Sequence, residues 1–163
     1  MFILGKGSRS KLAPVNDYLE QVVKTAISIT SVDFSVIEGE RTAERQLELW
    51  LAKASKFNGI EKGKKVKDII GTGISKHQIC DAVDLGAYVG GSIRWDFGLY
   101  YEIAKAMQEA AVLEKVRIRW GSVWDRCLND FEFTVEEEVN AYVARRQALG
   151  RKAFLDGPHF ELI

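Results

Sequence analysis

The chain has 163 residues, enough for about one domain with a buried core, and its 47% hydrophobic and 28% charged content is that of an ordinary globular protein. Lysine plus arginine and aspartate plus glutamate number 23 each, so the zero net charge argues against a nucleic-acid partner held by a bulk positive field. Two cysteines cannot build a disulfide framework, and Met1-Phe2-Ile3-Leu4 is too short an apolar run for a signal peptide or stable membrane insertion, so a cytoplasmic chain with no export route is expected.

In chain order, residues 1–10 read as an irregular arm in which Gly5, Gly7, Ser8 and Ser10 interleave with Lys6 and Arg9. Val15, Leu19, Val22, Val23, Ala26 and Ile27 share one helical face and predict a helix over about 14–29, with Asn16 or Asp17 at its start. Residues 32–37 alternate as a strand, and 41–51 predict a second helix with Thr42 as N-cap. Residues 53–73 hold six lysines, with Lys76 just beyond, and glycines at 59, 63, 71 and 73. They read as a solvated loop, at most the rim of a cleft that draws in an anionic polymer.

The stretch from Ser75 to Leu85 comes next. Its short run from Cys80 to Leu85 alternates as a strand, which His77 enters, and points Cys80, Ala82 and Asp84 one way and Asp81, Val83 and Leu85 the other. A glycine-rich turn at Gly86, Gly90 and Gly91 follows, then a core helix over 95–113, a strand over 116–120 and a turn at 121–125. The helix predicted over 134–149 carries Glu136, Glu137 and Glu138 in its first turn and Arg145 and Arg146 in its last, in keeping with the helix dipole. Gly150 ends it, and a last strand over 158–163 carries His159. No linker or repeat divides the chain, so the expectation is a single α+β domain over 1–163, with a small, mostly antiparallel sheet and surrounding helices.

His77 and His159 are the only histidines. A single histidine in a strand is ordinarily a packed or surface residue; here both occupy short polar-rimmed strand contexts, and one shares its strand with Asp84. Two imidazoles and one carboxylate make a catalytic zinc set, because three protein ligands leave the fourth tetrahedral position to water. Hydrolysis then needs a further carboxylate to move the water's proton. Asp156, Glu161, Asp125 and Asp81 are all available, and spacing does not separate Asp156 from Glu161.

Ser75-x-His77-x(3)-Asp81-Ala82-x-Asp84 resembles the S-x-H-x-x-G-x-A-x-D signature of the D-alanyl-D-alanine carboxypeptidase/LAS zinc peptidases. Asp156-x-x-His159-x-Glu161 is similar to that family's second signature. The segment from Val32 to Gln46, with Glu38-Gly39-x-Arg41-Thr42, looks like the phage L-alanyl-D-glutamate endopeptidase endolysins. The resemblance implies Zn2+ held by His77, Asp84 and His159, with Asp156 as general base. It also implies that Arg41 binds a substrate carboxylate or the developing oxyanion, and that Ser75 orients the first ligand loop or meets substrate. One residue departs from the pattern, since Cys80 stands where the family has glycine. It is a small buried residue tolerated there, or a thiolate that joins or replaces a ligand, and if that glycine serves a positive φ, Cys80 strains the turn.

The resemblance further implies a monomeric endolysin acting on the peptidoglycan stem peptide, reaching the wall from the host cytoplasm once another protein has permeabilised the membrane. The rival readings are a D-alanyl-D-alanine carboxypeptidase and a metal-bearing wall-binding module without catalysis. A bare ion pair of Arg41 with Glu38 or Glu44 is the plain alternative for that residue.

Overall fold

Hydrophobic periodicity sorts the chain into a sheet with one buried face and helices that cover it. The computed structural model describes residues 1–163. Its first half runs α1 (Lys6–Leu12), α2 (Asp17–Ile29), β1 (Phe34–Glu38), α3 (Ala43–Leu51), β2 (Lys65–Val66), β3 (Ile69–Ile70) and a 3-10 turn at Lys76–Ile79. The second half runs β4 (Ala82–Val89), β5 (Ser92–Arg94), α4 (Phe97–Glu114), β6 (Ile118–Trp120), α5 (Val135–Ala148) and β7 (His159–Leu162). The main sheet has the order β1-β4-β7-β6, and every pairing in it is antiparallel. β5 folds back on the far half of β4 through the Gly90-Gly91 turn, while β7 takes the near half. The expected α+β architecture with a small antiparallel sheet is what forms.

Strand alternation explains why the sheet has one dry face and one polar face. Phe34 and Val36 of β1, Val83, Leu85 and Ala87 of β4, Ile118 and Trp120 of β6 and Phe160 of β7 all join one cluster of 30 buried residues. Leu19, Val22, Val23, Ala26 and Ile27 of α2 and Tyr100, Ile103, Ala104 and Met107 of α4 supply its other side. Asp84, His159 and Glu161 alternate with these core residues and occupy the opposite face. α2 starts where Asn16 accepts a hydrogen bond from the Tyr18 amide, and Thr42 and Thr134 cap α3 and α5 through the amides of Arg45 and Glu137.

Three local expectations are corrected. Residues 1–10 are not an irregular arm throughout: α1 begins at Lys6, because Leu12 sinks into the core and the buried Ser8 hydroxyl accepts the Val36 amide at 3.0 Å. Packing against β1 overrides a composition rich in glycine and serine. Gly86 belongs to the strand and not to the turn after it. The lysine-rich loop is also more ordered than a solvated coil. Its β2–β3 hairpin is stitched to the preceding turn by the buried Asn58, whose side chain binds Ile70 O at 2.8 Å, Ile60 N at 3.1 Å and Thr72 N at 3.0 Å.

Trp120 joins the core to the segment that carries the second histidine. It is fully buried against Phe97, Tyr101 and Phe160, and its Nε1 donates to Gly157 O at 2.7 Å, two residues before His159. Trp120→Phe keeps most of the apolar contact but leaves a buried carbonyl unpartnered, so it should destabilise the fold by about 1–3 kcal/mol. Urea denaturation should show a lower midpoint at an unchanged slope.

Candidate metal centre

One row of residues crosses the sheet and builds the site. Asp84 stands directly opposite His159 in the β4–β7 ladder, and opposite Glu38 in the β1–β4 ladder. A bulge at Ile37 makes Glu38, rather than Ile37, the partner of Asp84. Beyond β6, the Gly121 amide bonds to His159 O at 2.8 Å and so extends the row to the other edge. A Cβ at Gly121 would lie 2.9 Å from His159 Cβ and 3.0 Å from Asp156 Cβ, which explains a glycine at this close approach.

His77 enters from outside the sheet. It lies on the 3-10 turn at Lys76–Ile79 and not in a strand, and β4 starts only at Ala82, which corrects the strand context expected for His77 and the strand position expected for Cys80. Ser75 starts that turn and is itself buried; its amide donates to the Gln78 side chain at 3.0 Å, which holds the turn closed. The turn ends at Cys80, whose φ of 62° and ψ of 21° lie in the left-handed region. Cys80 therefore does not share the strand face of Asp84, whereas Ala82 does.

The three side chains converge. His77 Nε2 lies 3.3 Å from both Asp84 Oδ1 and His159 Nδ1, and His159 Nδ1 lies 3.2 Å from Asp84 Oδ1. A tetrahedral ion with bonds of about 2.0–2.1 Å spaces its ligand atoms roughly 3.3–3.4 Å apart, so this triangle fits one. The outer ring nitrogens are both engaged. His77 Nδ1 contacts Gly39 O at 2.7 Å, and because a carbonyl only accepts, that nitrogen carries the proton and leaves Nε2 with the lone pair. His159 Nε2 faces Glu161 Oε2 at 3.0 Å, and Glu161 is in turn held by Arg119 at 3.2 Å. This carboxylate–imidazole arrangement orients a metal-ligating histidine and raises its basicity.

The electrostatics express the same demand for a cation. Burial alone lowers the His159 imidazole pKa, but hydrogen bonds to Asp84 and Glu161, and the charges of Asp84 and Asp156, carry it up to about 9. Burial likewise raises the Asp84 carboxyl, yet its contacts with His159 and His77 hold it well below the usual carboxylate range. A metal ion meets that demand with a single charge centre.

The four candidate bases separate by their partners. Asp125 is held by Arg145 in two hydrogen bonds of 2.8 Å, and Asp81 is engaged by Asn16 at 3.1 Å. Glu161 is locked between His159 and Arg119. Asp156 remains, on the turn that leads into β7, with its backbone carbonyl accepting from His159 N at 3.2 Å. Burial and the Asp84 charge push its carboxyl up, against the opposing pull of His159, His77 and Arg41. Arg41 takes its place from its own amide, which bonds to His77 O at 3.1 Å. Its guanidinium pairs with Glu38, as the plain alternative holds, but also reaches Asp84 Oδ2 at 3.5 Å and the buried Gln46 at 3.0 Å.

A model of the phage L-alanyl-D-glutamate peptidase family matches residues 1–163. The chain belongs to that family. It is 29% identical over 125 residues to the L-alanyl-D-glutamate peptidase of Escherichia phage T5, covering 76% of this chain and 82% of that protein. Among solved structures it is similar to the Serratia marcescens L-Ala D-Glu endopeptidase ChiX, with a TM-score of 0.68, 26% identity, and coverage of 99% of this chain and 90% of that one. The His77–Asp84–His159 cluster of this peptidase is one that suits a metal ion.

Sequence reasoning overlooked three residues of the peptidase site. Gly39 acts through its carbonyl, for which no side-chain pattern exists. Gln46 is fully buried on α3 and bridges Arg41 to Ser55 and Phe57; it closes the Val32–Gln46 segment that carries the resemblance, but that motif gave it no role. Trp124 lies in the turn after β6 with its ring 5.3 Å from that of His159.

Two outcomes are expected. Glu161→Gln should weaken metal affinity about 10- to 100-fold, as read by competition with a chromogenic chelator. Cys80→Gly should relieve left-handed backbone strain and raise unfolding free energy by about 0.5–1 kcal/mol in urea denaturation, after the entropy that glycine adds to the unfolded chain is counted.

Proposed function

We propose that this peptidase hydrolyses the L-alanyl–D-glutamate bond of bacterial peptidoglycan stem peptides, with zinc held by His77, Asp84 and His159. The observation that carries the reading is the donor triangle with both outer imidazole nitrogens already engaged, in a chain matched along its whole length by the family model. Two neutral imidazoles and one carboxylate suit zinc and leave a position open for chemistry. A zinc ion at this site supplies Lewis acidity toward a carbonyl oxygen and acidifies water to near neutrality.

The chain's own residues do the rest. Asp156 accepts the proton of the attacking water and returns it to the departing D-glutamyl nitrogen, a double role suited to a carboxyl raised above its ordinary range. Arg41 offers its guanidinium to the oxygen that gains negative charge, or to a substrate carboxylate, in bidentate geometry. Gln46 keeps that guanidinium aimed. Ser75 holds the turn that presents His77. The enzyme acts at the wall as a lysin, after the host membrane has been opened; no helix of the chain is long and apolar enough to cross a membrane.

Digestion of purified peptidoglycan, read by mass spectrometry, tests this. Release of peptides with amino-terminal D-glutamate, abolished by a chelator and restored by zinc, is the expected result. Free D-alanine as sole product would assign a carboxypeptidase instead. Asp156→Asn should lower kcat by at least about 100-fold while retaining metal, whereas His77→Ala should lose both metal and activity. An active, metal-free His77→Ala protein would overturn the scheme.

A further inference from the structure

The two edges of the sheet that flank the site differ in chemistry. At the β1 edge stands Arg41, tied through Gln46 to the 53–57 turn that carries Lys53 and Lys56. At the opposite, β6 edge, Trp124 packs its ring 5.3 Å from that of His159 and stacks on Phe154 at 6.1 Å with 18° between planes. Trp124 Nε1 also donates to Phe154 O at 3.2 Å, which fixes the two rings as one shelf. Phe154 is nevertheless 63% exposed, so burial does not account for its position. An exposed aromatic ring, held in place by hydrogen bond and stacking beside a reactive centre, is a surface for an apolar ligand face.

The substrate has matching ends. On the amine side of the scissile bond lie D-glutamate, whose α-carboxylate is free, and, where the third residue is diaminopimelate, a second free carboxylate. On the acyl side, L-alanine is amide-linked to the lactyl group of an amino sugar. Two units of extended chain separate the scissile carbonyl from that sugar, about 7 Å. The Trp124 ring lies within that span of the His159 ring, at 5.3 Å, and the Phe154 ring adjoins Trp124 at 6.1 Å.

Resting on the proposed peptidase activity, the geometry points to the Trp124–Phe154 shelf as a glycan subsite that stacks the amino sugar on the acyl side of the scissile bond. Carboxylates then lie toward Arg41, Lys53 and Lys56, and the substrate crosses the sheet in one direction only. The enzyme consequently prefers stem peptides still attached to glycan over free peptides. Sugar rings present axial C–H groups on one face, and these pack against an aromatic plane at little conformational cost to the two-torsion Phe and Trp side chains.

The test compares two substrates that share one peptide: the N-acetylated stem peptide alone, and the same peptide carrying its disaccharide. For the wild-type enzyme, kcat/KM should favour the disaccharide form about five- to tenfold, chiefly through KM. Phe154→Ala should bring that ratio to about one, and Phe154→Trp should preserve it. Equal kcat/KM for both substrates in the wild type overturns the subsite while leaving the peptidase reading intact. A Phe154→Ala enzyme that loses kcat on both substrates in proportion, with the ratio kept, also overturns it, since the shelf would then only position Asp156. Cleavage of neither substrate by the zinc-loaded wild type overturns the peptidase reading and the subsite together.

Discussion

The site depends on a single ladder position, the antiparallel pairing of Asp84 with His159 across β4 and β7. Directly opposed residues share a face of the sheet, with side chains close enough to bind one object. The neighbouring position, Val83 opposite Phe160, lies wholly in the core. A slip of one residue would bury the aspartate and histidine and expose the valine and phenylalanine, so the register is held by the whole apolar face. The core is in this sense the rigid support of the centre: Trp120 stacks on Phe160 and holds Gly157, which leads into His159.

His77 reaches the same point by a different route, and local chemistry compensates for its place outside the sheet. Ser75 and Gln78 close its 3-10 turn, Arg41 N caps His77 O, and Gly39 O fixes the imidazole. Glu161 and Arg119 do the same for His159. Each imidazole is thereby held at its outer nitrogen and offers its inner one. Three acceptors pointed at one another in a partly dry setting repel unless a positive charge lies among them. The raised His159 and depressed Asp84 are two expressions of that constraint.

The arrangement also divides the carboxylates by role. Asp84 faces the two imidazoles, and Glu161 stands behind His159, committed to Arg119. Asp156 occupies a turn beside both, near enough to feel the Asp84 charge and with no lasting partner. Charge and apolarity are graded across the sheet, from the Arg41 edge to the Trp124 edge, in the same direction as the row Glu38, Asp84, His159. A peptide attached to glycan at one end and bearing carboxylates at the other has that same gradient.

Much of this was legible in the residues. The α2, α4 and α5 helices, the Thr42 cap, and the strands β1, β4, β6 and β7 follow from periodicity and capping chemistry, because 3.6- and 2-residue repeats leave direct marks in sequence. The candidate ligands were legible because only two histidines exist and both lie in recognisable motifs. The substitution at Cys80 raised the question of a positive φ, and the backbone there has one. Other features were not legible. The α1 helix forms because Ser8 and Leu12 meet β1, a contact without local signature. Spacing left Asp156 and Glu161 together and only the resemblance favoured Asp156; the pairing of Glu161 with Arg119 appears only in three dimensions. Gly39 contributes a carbonyl, Gln46 a buried bridge and Trp124 a wall, and none of these can be read from residue type. Sequence by itself determined which groups could do the chemistry, since composition limits the donors; tertiary structure decided which of them face one another, since register and packing act between residues far apart in the chain.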